Sequence, residues 1–269
     1  MGPSPPLRRG TLRGATRIGL SARIPGKLLG GAIFFSRYTA EPVIADVVIP
    51  ALDEEETIAA VVAAVRKAPV RQVVAVDNGS RDRTAERAAE AGAVVVSEPR
   101  RGYGAACLAG IAHLERGAAP DAVIFVEADG SDDPDEIPAL LAALQDHDLV
   151  LGSRTQGGAE AGALTTVQRA GNAAVTAAIR VLYGRQFTDL GPFRAIRMET
   201  LRRLRLRDRD YGFTVEMQVK ALRLGARVVE IPVQRRRRAG GASKVSGTLR
   251  GVVGAGSKML YTVLRHSLG

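Results

Sequence analysis

The sequence predicts an α/β fold, a mostly parallel sheet flanked by helices. Three observations carry that expectation. Short apolar, β-branched runs recur along the chain as VVIP, VVAV, VVV, VIFV and LVL. Runs of this kind read as strands buried on both faces, because parallel sheets are covered by their crossover helices. The stretches between them carry apolar residues at helical spacing, so strand and helix alternate, and each crossover is right-handed.

In order, 43–50 is the first strand, and 53–67 a helix opened by a capping pattern in which Asp53 precedes Glu56 by three. Residues 72–76 form the second strand and 82–91 the next helix. Residues 93–97 are the third strand, followed by a helix over 105–116. The fourth strand, 122–127, leads to a helix over 135–144, and 148–152 is the fifth. After Gly152 the rhythm changes. Residues 155–163 are Gly/Ala-rich and read as a loop, and 165–183 as a long helix. A turn at 189–192, a short strand at 193–196, a helix at 211–224 and a strand at 228–232 follow. Residues 246–266 place Leu249, Val252, Val253, Met259, Leu260, Val263 and Leu264 at amphipathic helical spacing, although four glycines weaken the propensity.

With 269 residues, 46% of them apolar, the chain can bury one large core. Aromatics make up 4% and Trp is absent, which argues against stacking recognition of single-stranded nucleic acid. The one cysteine, Cys107, falls in an apolar helical pattern and reads as a core thiol. The net charge of +10 is concentrated in three places: residues 1–41, residues 202–209, and RRRRAGGASK at 235–244. Residues 1–41 lack periodicity and read as a basic, disordered tail. Basic surfaces favour anionic lipid, nucleic acid or phosphorylated ligands. No uncharged apolar stretch reaches 18 residues, so no transmembrane helix is expected.

The most informative segment is VIFVEADGSDDP at 123–134. A buried strand ends there in Glu127, Asp129, Asp132 and Asp133, at the sheet edge where open α/β folds bind ligands. Glu127 and Asp129, two apart, can offer hard oxygen ligands to one divalent cation, and the cation can grip a diphosphate. Asp132 and Asp133 read instead as loop and helix cap. At the end of the second strand, Asp77 either accepts hydrogen bonds from a nucleotide or closes an Asn-Gly turn with Ser80. RGYG at 101–104 permits close backbone approach at a helix start, yet lacks the ending of a phosphate-binding P-loop. Asp189 is either a local acceptor in its turn or a crevice residue. The arginines at 235–238 with Lys244 are either a solvated charge run or a lid over phosphates. The histidines, His113, His147 and His266, have no ligand-like spacing.

These motifs occur together in one order: VIPALDEEETI, VDNGSRDRT, RGYGAA, EADGSDDP, GSR at 152–154, R-x-x-N from Arg169 to Asn172, TDLGPFRAIR, YGFTVEMQVKA and RRRRAGGASKV. In that order they resemble the family 2 inverting glycosyltransferases, and within them the polyprenyl (dolichyl) phosphate sugar synthases. The resemblance implies the nucleotide-diphospho-sugar transferase (GT-A) sheet over 42–244, followed by an amphipathic helix over 245–269. By the same resemblance Pro50, Asp53, Glu54 and Asp77, with Gly102 and Gly104, line the donor pocket. Glu127, Asp129 and Ser131 hold Mg²⁺ or Mn²⁺. Asp129, Asp189 and Glu216 are the catalytic candidates. Arg154, Arg169, Arg194, Arg238, Ser243 and Lys244 face phosphates or acceptor. Three residues depart from the pattern: Glu127 replaces the usual first aspartate, Leu52 a frequent aromatic, and Asp53 an asparagine.

The implied reaction moves a hexose from a nucleotide-sugar (UDP-glucose or GDP-mannose type) to a polyprenyl phosphate. It implies a peripheral enzyme on the cytoplasmic, inner face of the membrane, with room for a separate membrane-protein partner and no nucleic acid. A hydroxyl acceptor on the same fold, or a basic binding protein on a degenerate scaffold, are the rival readings.

Overall fold

The computed structural model describes residues 43–160, 163, 165–240 and 249–267. The tail expected over 1–41, together with Ser243 and Lys244, lies outside the described residues.

The strands are β1 (Ala45–Ala51), β2 (Gln72–Asp77), β3 (Val94–Ser97), β4 (Ala122–Phe125), β5 (Leu149–Ser153), β6 (Arg194–Arg197) and β7 (Val228–Pro232). They form one sheet of seven in the order β3-β2-β1-β4-β6-β5-β7. Only β6 runs against its neighbours, pairing antiparallel with β4 and β5. Strand order reverses at β1, which lies between β2 and β4, and this switch point sets the ligand crevice of a doubly wound sheet. Alternation along each strand divides the core in two. Val48 and Phe125 face a layer that contains α3 (Tyr103–Arg116), α6 (Thr166–Tyr183), α7 (Met198–Leu204), α8 (Phe213–Arg223) and α9 (Leu249–Ser267). Val47, Ile49 and Ile124 face the layer of α1 (Ile58–Val65), α2 (Thr84–Glu90) and α4 (Ile137–Ala143). Cys107 is buried and free, as a core thiol, and burial raises its pKa.

Three differences from the sequence reading have local causes. The helix expected from Asp53 starts at Ile58, because Asp53 sits at φ +50° and is tied to the loop after β2. Its N–H donates to Ser80 Oγ at 3.0 Å, and its Oδ1 accepts from the Arg81 N–H at 2.8 Å. The residues after β5 are not all loop, since Ser153 caps one turn of helix, α5 (Arg154–Gly157), by accepting the Gln156 N–H at 3.2 Å. An additional helix, α7, falls where the arginines of 202–209 suggested only a basic block. Met198, Leu201 and Leu204 recur every three residues and are buried, while Arg202 and Arg203 point outward.

Gly102 and Gly104 were expected to let a ligand approach. That space is filled by protein: a Cβ at Gly102 would lie 2.2 Å from the Arg209 carbonyl, and one at Gly104 2.2 Å from the Asp208 carbonyl. The glycines therefore seat residues 208–209 against the start of α3, where Ala105 N–H donates to Arg209 O at 2.9 Å. Gly104→Ala is expected to lower stability by about 2 kcal/mol, since the atoms it meets are backbone and must move. Denaturant unfolding measures this.

Candidate active site

The carboxyl ends of β1, β2, β4, β5 and β7 share one edge of the sheet, and the polar residues gather there. Just beyond β4, Glu127, Asp129 and Asp132 turn inward within six residues. Asp129 and Asp132 are buried, and Glu127 is half-buried. Ser131 fixes Asp129: its N–H donates to Oδ1 at 3.0 Å, and its hydroxyl donates to the same oxygen. The Ser131 hydroxyl also reaches Glu127 Oε2 at 3.4 Å.

A strap after β7 lies along this loop. Arg236 N–H donates to Ser131 O at 2.9 Å and Ala239 N–H to Asp129 O at 3.0 Å, so the two backbones run side by side. That lacing aims three of the four arginines, Arg235, Arg236 and Arg238, at the acids. Arg235 meets Glu127 at 2.5 Å, Asp132 at 2.9 Å and Asp129 at 4.0 Å. Arg238 bridges Glu54 at 2.7 Å and Asp129 at 3.2 Å. Arg236 pairs with Asp133, whose Oδ1 also accepts the Asp135 N–H at 3.1 Å and caps the next turn. Burial works against the charge on Arg235, but Glu127, Asp132 and Asp129 outweigh it and raise its pKa. Burial pushes Asp132 up to about 6, with Arg235 opposing and Glu127 reinforcing the shift.

Asp132 is thus the third carboxylate of the cluster and not the loop residue expected from sequence. Arg235, its partner, was no more distinguishable there than its three arginine neighbours. Among the described residues no three acidic, histidine or cysteine side chains converge on a point free to hold a metal. The guanidinium of Arg235 occupies the centre of the carboxylates instead. The donor chemistry still suits a hard cation, because Glu127, Asp129 and Ser131 offer only oxygen.

Other predicted residues are placed as follows. Glu54 is buried, donates its backbone N–H to the Thr84 hydroxyl oxygen at 2.8 Å, and pairs with Arg238. Pro50 and Asp77 end neighbouring strands in register, Pro50 opposite Val76 and Asp77 opposite Ala51. Asp77 accepts the Ser80 N–H at 3.2 Å. Its neighbour Asn78, unnoticed as a site residue, donates to the carbonyls of Glu98 and Arg100 at 2.9 and 2.8 Å and accepts Gly102 N–H at 2.8 Å. It holds the RGYG turn against β2.

Asp189 is buried and accepts from Arg154 Nε and Nη2, at 2.7 and 2.6 Å, and from its backbone N–H at 2.8 Å. Burial favours its neutral form, but these bonds and the Arg154 charge win and hold its pKa below the usual carboxylate range. Asn172 pins the same turn, donating to Thr188 O and accepting Leu190 N–H, each at 3.0 Å.

Two assignments are corrected. Arg194 does not reach a phosphate: it is 1% exposed and donates to the carbonyls of Thr214, Leu190 and Gly191. Burial lowers its pKa to about 10. It holds the Asp189 turn to α8 from inside. Glu216 is 2% exposed and fully engaged, accepting Arg207 and Asp208 N–H at 2.9 and 2.7 Å and pairing with Lys220 at 2.6 Å. It shapes the loop before α8 and is not free as a base. Arg169 is exposed on α6.

A mostly parallel sheet, reversed at β1 and carrying carboxylates past the β4 end beneath a basic strap, defines a nucleotide-diphospho-sugar transferase of the GT-A type. The chain belongs to glycosyl transferase family 2, whose model matches residues 46–205, and it is a glycosyltransferase. It is 42% identical over 209 residues to an uncharacterized glycosyltransferase of Mycobacterium tuberculosis, covering 77% of this chain and 92% of that protein. It is 36% identical over 219 residues to an undecaprenyl-phosphate mannosyltransferase of Micrococcus luteus, covering 77% and 88%. Among solved structures, glucosyl-3-phosphoglycerate synthase of M. tuberculosis in complex with phosphoglyceric acid superposes with a TM-score of 0.66 at 25% identity. That match covers 83% of this chain and 80% of the other.

Proposed function

We propose that this enzyme transfers a hexose from a nucleotide-sugar to a polyprenyl phosphate, with inversion, at a membrane surface. One observation separates this reading from a hydroxyl acceptor. A hydroxyl nucleophile needs a carboxylate base, and both candidates are occupied: Asp189 by Arg154, and Glu216 by Lys220 and two backbone N–H groups. A lowered pKa makes Asp189 a still poorer base. A phosphate acceptor is already anionic and needs no base. It needs cations to hold two phosphorylated substrates together, and Arg154 with the arginines of the strap supplies them. The relationship to an undecaprenyl-phosphate mannosyltransferase supports the same acceptor.

Glu127, Asp129 and Ser131 would hold Mg²⁺ or Mn²⁺. When bound, the cation neutralises charge developing on the departing nucleoside diphosphate. Pro50, Asp53, Glu54 and Asp77 would face the nucleoside. Arg235 and Arg238, released from their carboxylates, would turn to the diphosphate oxygens. The enzyme would act peripherally on the cytoplasmic face, beside a membrane-protein partner where one exists.

The test is a panel of UDP- and GDP-hexoses with Mn²⁺ or Mg²⁺ and either prenyl phosphate or prenyl alcohol, read by product mass. Transfer is expected to the phosphate only, and to stop in chelator. Transfer to the alcohol at a similar rate would sink the acceptor assignment.

A further inference from the structure

A second cationic feature stands apart from the crevice. The C-terminal ends of α7, α8 and α9 enclose a groove of about 350 Å³ lined by Arg203, Lys220, Arg223, Arg265 and His266, with Leu204 and Leu224. The helix α8 follows the loop at the crevice edge and leads back to the start of β7, so this groove lies toward the opposite edge of the sheet. The acid paired with these side chains is Glu216, and it is buried and already engaged with Lys220. Among the described residues neither Arg203 nor Arg265 has a carboxylate partner, and both are exposed. Arg223 donates to the His266 carbonyl at 2.5 Å, which fastens α8 to the end of α9. Arg203, Lys220, Arg223 and Arg265 thus bring four permanent cations to one groove. His266 lies among them: burial lowers its pKa, and Lys220, Arg265 and Arg223 add to that against Glu216.

The surroundings of the groove narrow its ligand. Tyr183 at the end of α6 donates to Val263 O at 2.9 Å, so α6 and α9 lie together there. Beside that contact Val181, Leu182, Tyr261 and Leu264 are exposed, at 82%, 42%, 56% and 52%. Neither α6 nor α9 contains an Asp or Glu, in a chain that has 28. Exposed apolar side chains flanked by the exposed Arg203 and Arg265, with α6 and α9 free of acid, suit the interface of an anionic bilayer better than they suit water. A helix the length of α9, roughly 28 Å at 1.5 Å per residue, lying flat would join the crevice end of the molecule to the groove.

We propose that the α7–α8–α9 groove binds the phosphate of anionic lipid headgroups, with the exposed residues of α6 and α9 seated in the same leaflet. The shared chemistry is a phosphate ester. The choice of a lipid over a soluble phosphate rests on the apolar flank and on the membrane-surface reading above.

The experiment is sedimentation of the full chain with phosphatidylcholine vesicles, with and without one third phosphatidylglycerol, for wild type and Arg203→Gln/Arg265→Gln. Binding is expected only to the anionic vesicles, and the double variant is expected to bind about 30-fold more weakly, at roughly fivefold per basic residue. Partition of the variant equal to wild type would overturn the site. Displacement by millimolar inorganic phosphate at constant ionic strength would overturn the lipid assignment in favour of a soluble anion. Transfer to a short-chain, water-soluble prenyl phosphate, measured in parallel, is expected to be unchanged in the variant. A vesicle defect of the expected size supports this site whether or not transfer is seen, so it is separable from the proposed reaction.

Discussion

Asp129→Asn is expected to lower sugar transfer roughly a thousandfold while leaving the protein folded. Asp129 is 5% exposed and central: Ser131 holds one of its oxygens, and Arg238 and Arg235 approach the other at 3.2 and 4.0 Å. Asparagine keeps the shape and the Ser131 contact, but it removes the charge that would bind a divalent cation. Losing that ligand removes several kcal/mol of leaving-group stabilisation, and roughly 4 kcal/mol corresponds to about three orders of magnitude. The control is Asp133→Asn, four residues on, where the side chain caps a turn and pairs with Arg236. Its transfer rate is expected to stay within about twofold, since amide and carboxylate oxygens cap alike. Single-turnover transfer, with Mn²⁺ affinity measured by calorimetry, decides the matter. Unchanged Mn²⁺ affinity in Asp129→Asn would remove the metal from this position.

Arg235→Met is expected to destabilise the enzyme by about 3 kcal/mol, because it strands Glu127, Asp129 and Asp132 together without their central cation. For a domain of this size that is a fall in Tm of about 10 °C. Arg235 is 9% exposed, so solvent screens the loss little. The diagnostic part is recovery. Mn²⁺ or Mg²⁺ is expected to raise the Tm of Arg235→Met more than that of wild type, since in the variant the cation meets three carboxylates with no guanidinium competing. Equal shifts in both proteins would mean that Arg235 and the metal do not share these oxygens.

Much of this enzyme was legible in its sequence. Apolar runs of three to five residues mark β1, β2, β4 and β5, because a strand buried on both faces tolerates little else. The acids after β4 were conspicuous for the same reason, polar groups ending an apolar run. The family followed from motif order, and the match over residues 46–205 agrees with it. The amphipathic helix at the C-terminal end of the chain is α9, packed by Tyr183 and Arg223.

The residues that sequence misplaced all depend on contacts across long separations. Arg194 looked like a phosphate ligand because arginines in crevice motifs often are. Its antiparallel strand instead points it inward beneath Leu190 and Gly191. Glu216 looked catalytic until the loop at 207–208 folded back onto one of its oxygens and Lys220 took the other. The tandem arginines 235–238 carry one identical local signal. Which of them meets an acid is set by the backbone bonds of the strap to residues 129 and 131, roughly a hundred positions earlier. By itself the sequence determined the alternation of strand and helix, the acidic strand end and the family, since these rest on local period and on the order of motifs. Only the tertiary structure decided that Asp132 joins the acids and that Arg235 balances them, because charge pairing depends on distance in space and local pattern carries no record of it.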